Sequence, residues 1–157
     1  MQKSKAVKAI LLVIVCVSFG MGVPRLLNIS TSDSMKDHVF VLRPFNKDVG
    51  NGTIVRYPHQ DAVTEGKTLY MLKRVACASG QHLTADSIKK EYYCDGKYLA
   101  RAKSVSAKGI PVQNFVYDGI IPEGKFFAMA PHIDSYDSRY YGLVDAKIVV
   151  GTFYPVF

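Results

Sequence analysis

The chain has 157 residues, of which 48% are hydrophobic, with 20 Lys and Arg against 13 Asp and Glu. This suffices for one compact domain with a core and leaves little room for a second. Three cysteines without a CxxC pair exclude a disulfide-built scaffold and a zinc ribbon, and His38, His59, His82 and His132 form no spaced ligand set, so neither a metal nor a cofactor is expected. The net charge of +7 does not imply a nucleic-acid partner. Four basic residues (Lys3, Lys5, Lys8 and Arg25) lie in the first 27 residues, which hold no acid, leaving 16 against 13, or +3, over the rest.

Residues 1–8 are short and basic, a predicted cytoplasmic N-terminus. Residues 9–23 (AILLVIVCVSFGMGV) are an uncharged apolar run, closed by Pro24-Arg25 and extended by Leu26-Leu27. Crossing the hydrocarbon takes about 20 helical residues. Counted over 9–27, with Lys8 and Arg25 snorkelling, the segment is predicted to span as a single transmembrane helix in the lipid bilayer. Lysines ahead of it place the N-terminus inside and residues 28–157 outside. The competing reading is a cleaved signal peptide, for which Ser18-Phe19-Gly20 offers only a middling cleavage site.

Beyond the anchor the sequence reads as short strands. Residues 38–43 (HVFVLR), 53–57 (TIVRY), 68–76 (TLYMLKRVA), 91–94, 125–129 and 147–157 are rich in β-branched, aromatic or alternating residues. Turns are expected at 46–52, Glu65-Gly66, Asp95-Gly96 and Asp118-Gly119, the last two being tight because Gly accepts positive φ without steric cost. Residues 100–114 are the least patterned and read as a loop. No long helical period follows the anchor. The expected fold class is all-β, a folded sheet or barrel of short antiparallel strands behind one N-terminal helix. Cys77 and Cys94 bracket a hairpin-like excursion, and in an oxidising compartment a disulfide between them is favoured.

Three stretches carry candidate chemistry. Ser32-Asp33-Ser34-Met35 lies just past the anchor and ahead of a strand. Met71-Leu72-Lys73-Arg74-Val75 places two cations within an apolar strand pattern, so alternation must aim one of them with the apolar set, at a cost unless a site uses it. Asp134-Ser135-Tyr136-Asp137-Ser138-Arg139 is followed by Tyr140-Tyr141-Gly142. Each alone has an ordinary reading: a turn serine, a snorkelling edge lysine, a polar capping turn. In this order they resemble the type I signal peptidase family, the Ser/Lys peptidases of the S26 group. The family's S-x-S-M matches Ser32 to Met35, its K-R-V matches Lys73-Arg74-Val75, and its S-x-D-S-R-Y-x-G matches Ser135 to Gly142.

The resemblance implies that Ser34 is the nucleophile and Lys73 its general base. It further implies an oxyanion hole from the Ser34 backbone N–H and the Ser32 hydroxyl, with Ser135 orienting the Lys73 amine and Asp137 and Arg139 holding the motif. A bacterial inner-membrane enzyme follows, with a single span, its catalytic domain on the periplasmic face and signal-bearing precursors as partners. There are departures. Lys36-Asp37 stands where the family usually has a Pro, Ala130-Pro131-His132 replaces G-D-N, and Ala78-Ser79-Gly80-Gln81 replaces P-G-D. With the short chain, these resemble the conjugative-transfer (TraF-like) peptidases, which implies pilin or other transfer-apparatus precursors as substrates. His132 near Asp134 resembles a His–Asp pair and, without the family resemblance, would be the runner-up base. The alternatives are a self-cleaving regulator of the LexA-like type, against which the anchor speaks, and a catalytically silent subunit of a membrane secretion or pilus complex.

Overall fold

The computed structural model describes residues 27–30, 34–43, 49–106, 109 and 111–156. The basic N-terminus, all but the last residue of the expected anchor, and Ser32 lie outside them. Among the described residues no helix is long and apolar enough to cross a membrane.

Two antiparallel sheets make up the domain. The larger has seven strands in the order β1 (Leu27–Ile29), β2 (Val39–Leu42), β11 (Gly151–Pro155), β3 (Ile54–His59), β4 (Leu69–Cys77), β9 (Lys125–Met129) and β10 (Val144–Asp145). The smaller has the order β7 (Lys97–Arg101), β6 (Glu91–Cys94), β5 (His82–Asp86) and β8 (Asp118–Ile120). The expected all-β class is found, but not a closed barrel: the large sheet ends on β1 and β10, which do not pair with each other. A four-residue helix, α1 (Ser138–Tyr141), and a 3-10 turn (Ala146–Ile148) are the helical elements described.

Leu27, counted with the apolar run, is the first residue of β1 and pairs with Val41. Asp95 and Gly96 both take positive φ, 47° and 75°, and close the β6–β7 hairpin as the dipeptide predicts. Asp118-Gly119 is not a turn. It lies in β8, where Gly119 sits opposite Leu83 of β5; strand pairing there outweighs local turn preference. Residues 100–101 complete β7, and beyond them an isolated bridge joins Val105 and Pro111.

Alternation buries one face of each strand. Cys77, Leu83, Tyr92, Ile121 and Phe127 pack where the two sheets meet, and a disulfide there links Cys77 of β4 to Cys94 of β6. Val55, Tyr57, Val75 and Phe126 form a second cluster within the large sheet. Met35, Phe40, Ile54, Ala130 and Phe153 form a third. Each fully buried aromatic or aliphatic side chain stabilises the fold by about 1.5–3 kcal/mol. The Met35 cluster is where the fold begins to shape a site, because Met35 adjoins Ser34.

Candidate active site

Strand β4 settles which of its two cations turns inward. Lys73 is 4% exposed and Val75 1%, whereas Arg74 is exposed and its Nη1 donates to the Gly52 carbonyl at 3.0 Å. The Lys73 ammonium donates to Ser135 Oγ at 2.7 Å. Burial lowers the Lys73 pKa from 10.5 to about 8; Asp137 pulls the other way, and Arg139 adds to the lowering. Desolvation is thus the dominant cause, because the charged form of an amine loses most when water is removed.

Ser34 sits in the turn between β1 and β2. The next residue, Met35, is buried in the third apolar cluster and fixes that turn against the sheet. From the other side, the His132 backbone N–H donates to the Ser34 carbonyl at 3.4 Å. Ser34 and Lys73 line one cleft of about 680 Å³, whose walls also include Ile29 of β1, Arg56 of β3, Tyr70 and Leu72 of β4, and Tyr136. Ser135 is buried behind Lys73.

The remaining polar residues of the last motif hold this arrangement in place. Asp137 caps α1, accepting from the Arg139 N–H, and also accepts from Arg139 Nε and Nη2, both at 2.8 Å. Its Oδ2 accepts from the Ala130 N–H at 3.0 Å, tying α1 to the end of β9. Arg139 Nη2 donates further to the carbonyls of His132 and Ser135, at 3.1 and 3.2 Å. Asp137 is 0% and Arg139 1% exposed, so each charge is buried but paired and bonded on several sides. The Ser138 hydroxyl accepts from the Ala128 N–H. One short helix turn therefore positions both the loop behind Lys73 and the loop that supports Ser34.

His132 is exposed and does not line the cleft. Its Nδ1 accepts from the Asp134 backbone N–H at 3.2 Å, while the Asp134 carboxylate pairs with Lys103. The expected resemblance to a His–Asp pair is absent because Asp134 directs its charge elsewhere. Among the described residues no group of His, Cys, Asp and Glu could hold a metal ion.

Two features were not readable from local sequence. Asn28, Ile29 and Ser30 form a wall of the cleft, although Leu-Asn-Ile is too short to read as a strand beside an apolar run. Tyr136 lies between Ser135 and Asp137 and lines the cleft; its hydroxyl donates to Asp61. His59 Nε2 lies 2.8 Å from the same carboxylate, and its ring lies 4.1 Å from that of Tyr141. Although burial opposes it, hydrogen bonds from Tyr136, His59 and the Thr64 backbone hold Asp61 at about 2. No spacing rule links Asp61 to a tyrosine 75 residues away.

A lowered amine and a turn serine in one cleft define a candidate Ser/Lys hydrolase site. Residues 3–157 match the family model described as signal peptidase, peptidase S26. The chain therefore belongs to that family and is a serine endopeptidase of the signal-peptidase type, acting on precursors that carry signal peptides. Among solved structures, a signal peptidase I from Enterococcus faecalis V583 aligns at 22% identity with a TM-score of 0.42, covering 65% of this chain and 93% of that one. No curated protein matches the chain.

Proposed function

We propose that this endopeptidase cleaves its precursors with Ser34 as nucleophile and Lys73 as general base. The observation that carries the reading is the Lys73 amine, buried and bonded to Ser135 in the cleft that Ser34 lines. A serine hydroxyl needs a base, and a lysine serves only when neutral. With its pKa at about 8, about a tenth of the Lys73 amines are neutral at pH 7. Neutral Lys73 takes the proton from Ser34 as Oγ bonds to the scissile carbonyl carbon. The C–N bond then breaks, and Lys73 returns that proton to the leaving amine. In the second half Lys73 deprotonates a water that attacks the acyl carbon, and it passes that proton to Ser34 Oγ as the acyl C–O bond breaks.

The Ser34 N–H and the Ser32 hydroxyl stabilise the oxyanion, where losing one donor costs on the order of 10²–10³ in rate. Ser135 orients the amine, and Asp137 and Arg139 hold Ser135 and the Ser34 turn in register. Along β4, strand β9 pairs only from Arg74 onward, so among the described residues Leu69 to Leu72 have β3 on one edge and no strand on the other. An extended precursor adds to that edge through main-chain hydrogen bonds. The apolar segment that precedes β1, residues 9–26, anchors the enzyme in the bacterial inner membrane with the domain on the periplasmic face. Tethering enzyme and precursor to one surface raises their effective concentration. Within this class, the replacement of G-D-N by Ala130-Pro131-His132 supports pilin or another conjugative-transfer precursor as substrate.

The test is processing of signal-bearing and pilin precursors in membranes carrying wild type, Ser34→Ala or Lys73→Ala. Loss of processing in both variants is expected. Processing at the wild-type rate in either one removes that residue from its role. A reporter fused after Phe157 that is active only in the cytoplasm would overturn the topology.

A further inference from the structure

The cleft contains a cation that the cleavage chemistry does not use. Arg56 lies on β3, one strand in from the open edge of β4, and pairs with Leu72 across the ladder. By alternation it shares a face with Pro58, Tyr70, Leu72, Arg74 and the buried Ile54, and Arg74 is turned away to the Gly52 carbonyl, so Arg56 is the cation of that face that lines the cleft. Its guanidinium lies over the Tyr70 ring, 4.6 Å from the centroid, leaning from β3 across β4. Opposite Arg56 on β11 stands Gly151, which offers no side chain to contact. Among the described residues no acidic side chain lines the cleft, and Arg56 takes part in no ion pair. A half-buried guanidinium that rests on a π-face keeps most of its donors available for a carboxylate.

We propose that Arg56 is a specificity residue, which selects precursors carrying an Asp or Glu in the extended segment that lies along Leu69–Leu72. A peptide added to the β4 edge runs two strand spacings from β3, roughly 10 Å. An arginine reaching across Tyr70 spans most of that gap and meets a carboxylate extending from the peptide's facing side. Alternation restricts the preference to positions on the Arg56 face; their neighbours point to the Lys73 face. A charge-assisted pair of this kind discriminates by about tenfold or more.

The inference rests on the proposed binding of precursor in the Ser34–Lys73 cleft, so the assay includes Ser34→Ala. Precursors with Asp, Ala or Lys at each successive position ahead of the cut are mixed in pairs, and product ratios are measured for wild type, Arg56→Gln and Arg56→Glu. Ratios within one variant do not depend on how much enzyme is folded. Wild type is expected to favour Asp over Lys about tenfold or more at one position or at alternate positions, with the preference flattened in Arg56→Gln and reversed in Arg56→Glu. An equal product ratio for Asp and Lys precursors at every position in wild type overturns the proposal without any variant. So does a preference that survives unchanged in Arg56→Gln and Arg56→Glu. Continued cleavage by Ser34→Ala would instead overturn the reading of the cleft.

Discussion

Lys73 Nζ donates a 2.7 Å hydrogen bond to Ser135 Oγ, joining β4 to a loop 62 residues further along the chain. The bond fixes where the amine points, while burial sets its proton affinity. If the neutral amine is the base, activity below pH 8 rises about tenfold per pH unit and levels off above it. A kcat/KM profile from pH 6 to 10 measures this; a profile flat across pH 7 to 9 would rule out Lys73 as the titrating base. Ser135→Ala, which leaves the amine unoriented, is expected to lower kcat on the order of 100-fold with little change in KM.

The same burial makes Lys73 a cost to the fold. Its folded-state pKa of about 8 lies below the ordinary 10.5, so the unfolded chain binds the proton more tightly. Stability therefore climbs as pH rises from about 8 to about 10.5, and at pH 7 the full penalty is present. Lys73→Met removes a penalty of about 3 kcal/mol at about 1.4 kcal/mol per pKa unit. Losing the bond to Ser135 returns about 1 kcal/mol of that. Urea denaturation at pH 7 should show an inactive variant more stable than wild type, and a less stable one would mean that the buried amine is well compensated.

Asp137 and Arg139 should behave in the opposite way. Asp137→Asn keeps an acceptor for the Ala130 N–H but leaves the 1% exposed Arg139 without its counter-charge. Removing one partner of a buried ion pair costs about 3–5 kcal/mol. Thermal unfolding should register it as a large fall in Tm. An unchanged Tm would mean that the carbonyls of His132, Ser135 and Arg101, which also accept from Arg139, suffice.

The Cys77–Cys94 disulfide crosses from the large sheet to the small one, 17 residues apart in sequence. In the chain-entropy account, closing a loop of this length contributes about 3 kcal/mol. Replacing both cysteines by Ala should lower stability by about that amount in chemical denaturation. The cleft is lined by β1, the Ser34 turn, β3, β4 and the loop ahead of α1, all outside the small sheet, so the folded double variant should keep its proteolytic kcat. Loss of kcat with the fold intact would show that the small sheet shapes the cleft.

Much of the fold was legible locally. Residues 91–94 and 125–129 coincide with β6 and β9, and the predicted strand at 68–76 differs from β4 by one residue at each end. All three are strongly patterned or bounded by turns. Strands β1, β8 and β10 have only two or three residues, too few for a period to show, and they exist because a neighbour supplies the ladder. The barrel alternative failed for a similar reason: whether end strands meet depends on twist and stagger, which alternation does not encode.

By itself the sequence determined the order of the three motifs, the all-β class and the certainty that one of Lys73 and Arg74 had to turn toward apolar surroundings. It did so because alternation and charge are local properties of a strand. Only the tertiary structure decided which cation turned inward, that His132 stands outside the cleft, and that Arg56 and Tyr136 stand inside it. Those outcomes depend on pairing between distant segments: Val55 against Lys73, Asp137 against Ala130, and Lys103 against Asp134. Burial and counter-charge belong to the assembled sheet, and no single strand carries them alone.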